Sequence, residues 1–187
     1  MKNNKGFTLV EVLAMLVVLG IIIGVTVPNI TGILNSQKTN LIAEDGIKMI
    51  ENAKNEFIVS EKVKYPEDGK CVIFTLDRLD KNSDIENGIE NGKYNKTKSF
   101  VTVKRVAKSY QYSVRLIEQL SNGKLYGISN ASESSLNSET KKNFLGEIKE
   151  DYIVDFSSAK SLDDAKNALA SDNVGGCTKD ILTGFYN

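Results

Sequence analysis

The longest apolar run in the chain lies close to its N-terminus. Residues 7–27 span 21 positions, and Glu11 is the one ionisable residue among them. As an α-helix this run would measure about 31 Å, close to the roughly 30 Å hydrocarbon core of a bilayer. The pattern therefore predicts a transmembrane helix. A carboxylate in the bilayer core costs about 2.5–3.5 kcal/mol, so Glu11 is a candidate functional residue that needs a partner.

Beyond the apolar run, apolar residues recur at helical spacing with charged residues between them. Pro28 lacks a backbone donor and disfavours helical angles at the preceding residue, so we expect a kink or local break there. The second half of the helix is then amphipathic and extends to about Val59, with an apolar stripe that should pack on a sheet. The predicted stripe is Ile30, Ile33, Leu34, Leu41, Ile42, Ile50, Ala53 and Phe57.

The rest of the chain alternates short strand-like runs with turn-forming clusters. Strands are predicted at 71–76, 100–103, 110–117, 125–128 and 152–156, with a hairpin turn at 121–124. The tandem Ile-Glu-Asn-Gly repeat at 85–92 and the Ser-rich segment 131–138 are predicted loops, the first of them exposed. A capping box at Ser161 and Asp164 predicts one short helix, and Gly175-Gly176 ends the element before it.

These elements predict an α+β fold: a long N-terminal membrane-spanning helix that continues into a globular domain with an antiparallel sheet. The expected divisions are a leader at 1–6, a transmembrane and assembly helix at 7–28, its amphipathic second half at 29–59, and a headgroup at 60–187. The headgroup has roughly the usual size of one domain.

Composition excludes several kinds of chemistry. The chain has 24 basic and 24 acidic residues, which favours no charged partner, and it has no histidine and two cysteines. Histidine- and cysteine-based metal clusters and Ser-His or Cys-His nucleophiles are therefore excluded. Asp163 and Asp164 are best explained as a solvated helix start. The sequence predicts no catalytic residue, no metal, no cofactor and no enzymatic activity.

Two ordinary targeting signals are possible explanations of the basic residues and apolar run at the N-terminus. One is a secretory signal peptide, but no Ala-x-Ala site follows the apolar run. The other is a signal anchor in which Glu11 reaches the cytoplasmic edge. Neither predicts glycine, phenylalanine and glutamate together. The segment Lys5-Gly6-Phe7-Thr8-Leu9-Val10-Glu11, followed by an apolar helix, resembles the N-terminus of type IV prepilins over residues 5–30.

The resemblance implies specific roles for the residues at this end. Prepilin peptidase would cut between Gly6 and Phe7 and methylate the Phe7 amine. Glu11 would pair with the Phe7 amine of a neighbouring subunit and so set the register of assembly. Lys2 and Lys5 keep the N-terminus cytoplasmic.

A glycine- and proline-containing stretch follows inside the apolar run. The resemblance implies that the helix melts locally between Gly20, Gly24 and Pro28 in the filament, where these residues are poor helix formers. The alternative is a small-xxx-small face for packing against another helix.

Two further features remain open. Cys71 and Cys177 favour a disulfide outside the cytoplasm, as the resemblance also implies, although two free or separately buried thiols are the alternative. Basic residues interleaved with aromatics could bind single-stranded nucleic acid, or could form a solvated face over an aromatic core, which we favour. This set is Lys96, Lys98, Lys104, Arg105, Lys108 and Arg115 with Tyr94, Phe100, Tyr110 and Tyr112.

The resemblance implies a structural subunit of a type IV pilus, used in adhesion, motility or surface colonisation. Its expected partners are other pilins, prepilin peptidase, the membrane assembly machinery and the membrane itself before assembly. The expected location is the cytoplasmic membrane as a single-pass precursor, then the extracellular pilus. The alternatives are a pseudopilin of a type II secretion or DNA-uptake system and a single-span anchored ligand-binding protein.

Overall fold

The fold was analysed in a computed structural model. It describes residues 8–81, 85, 88, 92–149, 153–169 and 173–187, and for 22–35 the backbone only. The chain divides into two compact units, Met1–Lys38 and Thr39–Asn187. Helix α1, Leu9–Val59, contributes residues to both and ends where the pattern predicted. Among the described residues, no helix combines the length and hydropathy that crossing a membrane requires.

The second unit is built on one mixed sheet. Within the described residues it has seven strands: β1 Cys71–Thr75, β2 Lys93–Tyr94, β3 Phe100–Val106, β4 Ser109–Gln119, β5 Leu125–Ser132, β6 Leu145–Ile148 and β7 Leu182–Tyr186. Their order in the sheet is β6-β5-β4-β3-β1-β7, with β2 paired to β4. All described pairings are antiparallel except that of β1 with β7, so the predicted α+β class is confirmed but the sheet is not wholly antiparallel.

Short helices connect these strands. They are α2 Leu76–Leu79, α3 Glu133–Leu136, a 3₁₀ helix at Glu139–Phe144, and α4 Leu162–Leu169. Helix α4 begins with the predicted capping box, because the Asp164 N–H donates to Ser161 Oγ at 3.2 Å and the Ser161 N–H donates to Asp164 Oδ2 at 3.0 Å.

The C-terminal part of α1 buries one face against the sheet. Ile50 and Ala53 are fully buried as predicted. The buried face of the helix includes Gly46. A Cβ at that position would lie 2.6 Å from Ile128 Cδ1, so the helix and β5 approach closely there. Leu41 lies outside the stripe and is 53% exposed, so its prediction was wrong. The buried helix residues of this core are Ile42, Ala43, Met49, Ile50 and Ala53.

The opposite face of the sheet is covered by residues from the C-terminal segment between Val154 and Leu182. There Phe156 packs edge-on against Phe100 of β3, with ring centroids 5.2 Å apart. The buried residues of this second core are Cys71, Ile73, Phe100, Val154, Phe156, Ala159, Ala165, Leu169, Val174, Cys177 and Leu182. The sheet is therefore enclosed on two sides, and its central strands are buried on both faces.

Several local predictions were wrong for reasons of tertiary context. Residues 153–156 are not a strand, since this apolar run packs on the sheet face; residue 152 is outside the described residues. The predicted loop 131–138 instead holds the end of β5 and helix α3. Most of the 85–92 repeat lies outside the described residues, but Ile85 is 2% exposed, so the expectation of an exposed loop fails there.

Candidate assembly site

Helix α1 begins with a reciprocal hydrogen-bonding arrangement around Glu11. The Thr8 N–H and the Thr8 hydroxyl both donate to Glu11 Oε2 at 2.8 Å, and the Glu11 N–H donates to Thr8 Oγ1 at 3.3 Å. This is a capping box, which satisfies backbone donors of the first helical turn. The Thr8-x-x-Glu11 spacing is the sequence signature of this cap, but a capping role for Glu11 was not predicted.

The first turns of α1 present an apolar surface on every side. The large apolar side chains described between Leu9 and Ile21 range from 47% exposed at Val12 to 83% at Leu9. Ala14, Met15, Val18 and Leu19 line a shallow, open groove on this surface. Contiguous exposed apolar area of this kind marks a surface that lipid or another protein covers.

The residues at which a helix break was predicted are helical in the isolated chain. The helix runs without interruption through Gly20, Gly24 and Pro28. A Cβ at Gly20 would meet no atom within 4 Å, so no close contact within the described residues demands glycine there. Local melting between Gly20 and Pro28 in an assembled filament remains a prediction. Gly6 and Phe7, the predicted cleavage and methylation residues, lie outside the described residues.

A disulfide joins Cys71 and Cys177 in the second unit. The two Cα atoms are 5.8 Å apart, across a separation of 106 residues, and both cysteines are fully buried. Cys71 opens β1, and Cys177 lies five positions before β7 begins at Leu182. The bond therefore ties the segment that leads into β7 to the strand with which β7 pairs.

A tight turn places Cys177 in reach of β1. The Val174 N–H donates to the Cys177 carbonyl at 3.0 Å, and the Cys177 N–H donates back at 2.9 Å. Gly175 and Gly176 between them have φ of 59° and 76°, a left-handed conformation that glycine adopts without strain. The Gly-Gly pair was predicted only as a stop, and its turn geometry is what presents the cysteine.

The basic and aromatic residues of the candidate nucleic-acid surface are not assembled into one face. Phe100 and Tyr94 are 1% and 5% exposed. Arg115 is 9% exposed and donates from Nε to the Ser129 carbonyl at 2.7 Å, while Lys98 Nζ lies 3.9 Å from Asp155 Oδ2. A platform for stacking bases needs exposed rings, so this arrangement favours the aromatic-core explanation.

Tyr94 takes part in a buried polar contact instead. Its hydroxyl donates to Asp45 Oδ2 of α1 at 3.0 Å. Burial, together with the nearby Asp45 carboxylate, raises the pKa of Tyr94 above its usual range. The contact fixes β2 to the helix and gives the tyrosine a structural role.

Within the described residues, no group of three or more histidine, cysteine, aspartate or glutamate side chains is placed to hold a metal ion. The chemical features that remain are the capped, apolar N-terminal helix and the cross-linked sheet domain.

Comparison with protein families identifies one known motif, and it lies at the N-terminus. Residues 1–27 match the prokaryotic N-terminal methylation motif, the type IV prepilin-like signature. Comparisons with curated proteins and with solved structures found no significant match. The signature points to a structural protein, and it covers residues 1–6, the apolar run at 7–27 and Glu11 within that run.

Proposed function

We propose that this chain, which carries the type IV prepilin-like signature, is a pilin. It is made as a prepilin, held in the cytoplasmic membrane by its apolar helix, and polymerised through that helix into an extracellular filament. The observation that supports the proposal is the methylation motif at 1–27, which includes the first turns of α1 and their exposed apolar side chains. Neighbouring helices in a filament would cover the surface that lipid covers before assembly.

Processing is the first step that the proposal requires. The mature chain should begin with methylated Phe7, and intact-mass measurement of native protein from sheared surface filaments tests this. Gly6→Leu is the matched variant, because a bulky residue before the cut should hinder entry of the extended backbone into the peptidase. We expect unprocessed precursor from that variant. A wild-type chain that keeps Met1 in cells containing the peptidase would contradict the proposal.

Glu11 has two separable roles within this proposal. In the isolated chain it caps α1 through Thr8, with both Thr8 donors bonded to Oε2. In the filament its charge would pair with the Phe7 amine of the next subunit, a contact that fixes register more than it adds stability. An amine approaching the other carboxylate oxygen would not have to displace Thr8, so both contacts can coexist.

Three substitutions distinguish these roles in cells that express the variant as the sole subunit. Glu11→Val removes both, so membrane insertion should be unchanged or improved while filament yield falls at least tenfold. Glu11→Gln keeps an acceptor for Thr8 but removes the charge, and its yield should fall nearly as far. Thr8→Val keeps the charge and loses a cap of about 0.5–2 kcal/mol, so filaments should still form.

The measurement is filament yield after shearing, normalised to the amount of membrane-bound precursor. Normal yield from Glu11→Val would show that Glu11 does not set register. A loss of yield in Thr8→Val together with near-normal yield in Glu11→Gln would show that Glu11 acts through the cap alone.

A pseudopilin of a secretion or DNA-uptake machine is the second candidate, because the observed motif is common to both classes. The two differ in whether long surface filaments contain this chain. Its presence as a stoichiometric component of sheared filaments supports the pilin, whereas processed protein confined to the membrane fraction supports the pseudopilin.

A further inference from the structure

Large apolar side chains are exposed at one end of the second unit, where helix α1 finishes. Ile58 and Val59, in the last turn of α1, are 78% and 80% exposed. Tyr65 and Val106 are 45% and 41% exposed. With Leu41, these four make up the large apolar side chains that the described part of the second unit leaves exposed. Single exposed apolar residues are normal, whereas a cluster of them marks an interaction surface.

Ring contacts connect these residues across the end of the unit. The Phe57 ring stacks on the Tyr65 ring with centroids 4.0 Å apart, and the Tyr65 ring lies 4.6 Å from that of Tyr110. Phe57 directly precedes the two exposed residues of the last helical turn, and Tyr110 lies near the start of β4, beside the turn that follows β3. The end of α1 and the β3–β4 turn therefore share one surface. We call this surface the end patch: Ile58, Val59, Tyr65, Val106 and Tyr110.

The β3–β4 turn is held in a strained conformation. Ala107 has φ of 55°, a left-handed conformation that costs less for glycine. Its N–H donates to Asp68 Oδ1 at 2.7 Å, and Arg105 Nε donates to its carbonyl at 3.3 Å. Backbone strain that neighbouring side chains hold in place is concentrated at functional sites. These contacts fix the turn that presents Val106 and the exposed Lys108.

The end patch has a basic rim in a chain that is otherwise neutral. The whole chain has 24 basic and 24 acidic residues, but basic residues are in excess in the two segments that form the patch, 58–70 and 105–110. These segments contain Lys62, Lys64, Lys70, Arg105 and Lys108 against Glu61, Glu67 and Asp68. Asp68 is already bonded to the turn, and within the described residues Lys62, Lys64 and Lys108 form no ion pair. The rim is therefore complementary to an anionic surface.

We propose that the end patch binds the surface of an anionic lipid bilayer. Ile58 and Val59 need hydrocarbon to cover them, which a polysaccharide or a nucleic-acid backbone does not supply, and lipid phosphates supply charge for the rim. Lysine side chains reach from an apolar patch to headgroups, and tyrosine rings favour this interface. The inference deepens the proposed function and rests on it, because a surface filament would carry the patch to the membrane of another cell.

The test uses the full chain in immobilised phosphatidylcholine nanodiscs, with vesicles passed over them and empty nanodiscs as the blank. Vesicles that contain about 30% phosphatidylserine should be captured at least tenfold more than pure phosphatidylcholine vesicles. Capture should fall as the salt concentration is raised, because salt screens the charges of the rim. No capture, or equal capture of the two kinds of vesicle, would overturn the proposal.

Ile58→Ser/Val59→Ser tests the apolar part of the patch, and Leu41→Ser is its matched control. Both changes replace exposed aliphatic residues of α1, but Leu41 lies outside the end patch. We expect the double variant to lower capture at least tenfold, since its side chains no longer enter hydrocarbon, and the control to stay within about twofold. Circular dichroism and Tm verify that both remain folded. Equal capture by both variants would refute the assignment.

Lys62→Gln/Lys108→Gln tests the basic rim, and Lys124→Gln/Lys149→Gln is the control with the same change in net charge. Lys124 and Lys149 lie where β5 begins and β6 ends, at the opposite end of the sheet from the β3–β4 turn. Loss of two cations at the patch should lower capture of anionic vesicles about tenfold, and the control should change it less than about twofold. Equal losses would show that capture depends on overall charge and would refute a defined patch.

Other occupants give different results in the same apparatus. Capture of a single-stranded oligonucleotide in place of vesicles would assign the patch to nucleic acid. Association of two nanodiscs that both carry the chain, without vesicle capture, would assign it to a second copy. Either result would overturn the lipid assignment. The assay needs no filament, so loss of processing or polymerisation in cells would contradict only the pilin proposal, whereas filaments whose subunits capture no vesicles would contradict only this inference.

Discussion

Loss of the Cys71–Cys177 disulfide should destabilise the second unit chiefly through the unfolded state. The bond closes a loop with a separation of 106 residues. In the chain-entropy model, closing such a loop lowers the entropy of the unfolded chain and so raises the free energy of unfolding by about 4.7 kcal/mol. Removal of a native disulfide typically lowers the measured free energy of unfolding by about 2–5 kcal/mol. Both cysteines are fully buried, so removing their sulfurs also leaves small voids.

The perturbation is best made in two forms, because each isolates one contribution. Reduction of wild-type protein breaks the cross-link and keeps both sulfur atoms. Cys71→Ala/Cys177→Ala removes the sulfurs as well, and alanine adds no buried hydroxyl that would need a partner. We expect the free energy of unfolding to fall by about 3–5 kcal/mol on reduction and by about a further 1 kcal/mol in the double variant. At about 2–4 °C per kcal/mol for a domain of this size, the Tm should fall by roughly 6–20 °C on reduction.

Urea unfolding followed by circular dichroism, with and without reductant, measures both quantities. The m-value should rise when the bond is broken, since an unlinked unfolded chain exposes more surface. Loss of packing alone would lower the midpoint and leave m unchanged. Oxidised and reduced protein that unfold within about 0.5 kcal/mol of each other, with equal m-values, would refute the argument. Alkylation of the denatured, unreduced protein is the control and should label no thiol.

Two further predictions concern the packing of α1 and the buried tyrosines. Gly46→Ala would place a Cβ 2.6 Å from Ile128 Cδ1, so despite better helix propensity it should lower the free energy of unfolding by about 1 kcal/mol. Urea unfolding measures this, and Asn55→Ala on the exposed helix surface, the control, should show no loss. Burial raises the pKa of Tyr112 to about 12 and also raises the pKa of Tyr94 above its usual range. In the unfolded chain Tyr112 has the ordinary pKa of 10.0, so its contribution to stability is complete below about pH 10 and is lost as the pH rises to about 12. Thermal unfolding against pH should show this decline, a smaller one in Tyr112→Phe, and a flat profile across that window would contradict it.

Local patterns in the sequence predict several elements of this fold. The repeat of apolar residues every three or four positions is enough to predict a helix that ends at Val59. Alternation along 110–117 is enough to place Val114 and Leu116 on the same face of β4, the face that packs against α1. The Ser161–Asp164 spacing is enough to start α4. In each case the signal and the structure involve residues that are close in the chain.

Pairings between distant segments could not be predicted in this way. Strand β7 contains Gly184 and becomes a strand through its parallel pairing with β1, more than 100 residues earlier. Strand β6 was missed for the same reason, because its four residues are defined by β5 beside them. The approach of Cys177 to Cys71 likewise depends on the turn at Gly175-Gly176 and on the sheet beneath it.

The sequence by itself therefore determined the N-terminal motif, the long helix and the strand-rich domain after it, since these depend on local periodicity and on residue identity. Tertiary structure alone decided which residues are enclosed. It placed Gly46 at the contact with β5, exposed Leu41, and buried Phe100 beneath the C-terminal segment. Burial depends on what the rest of the chain places against a residue, and neighbours along the chain do not encode that information.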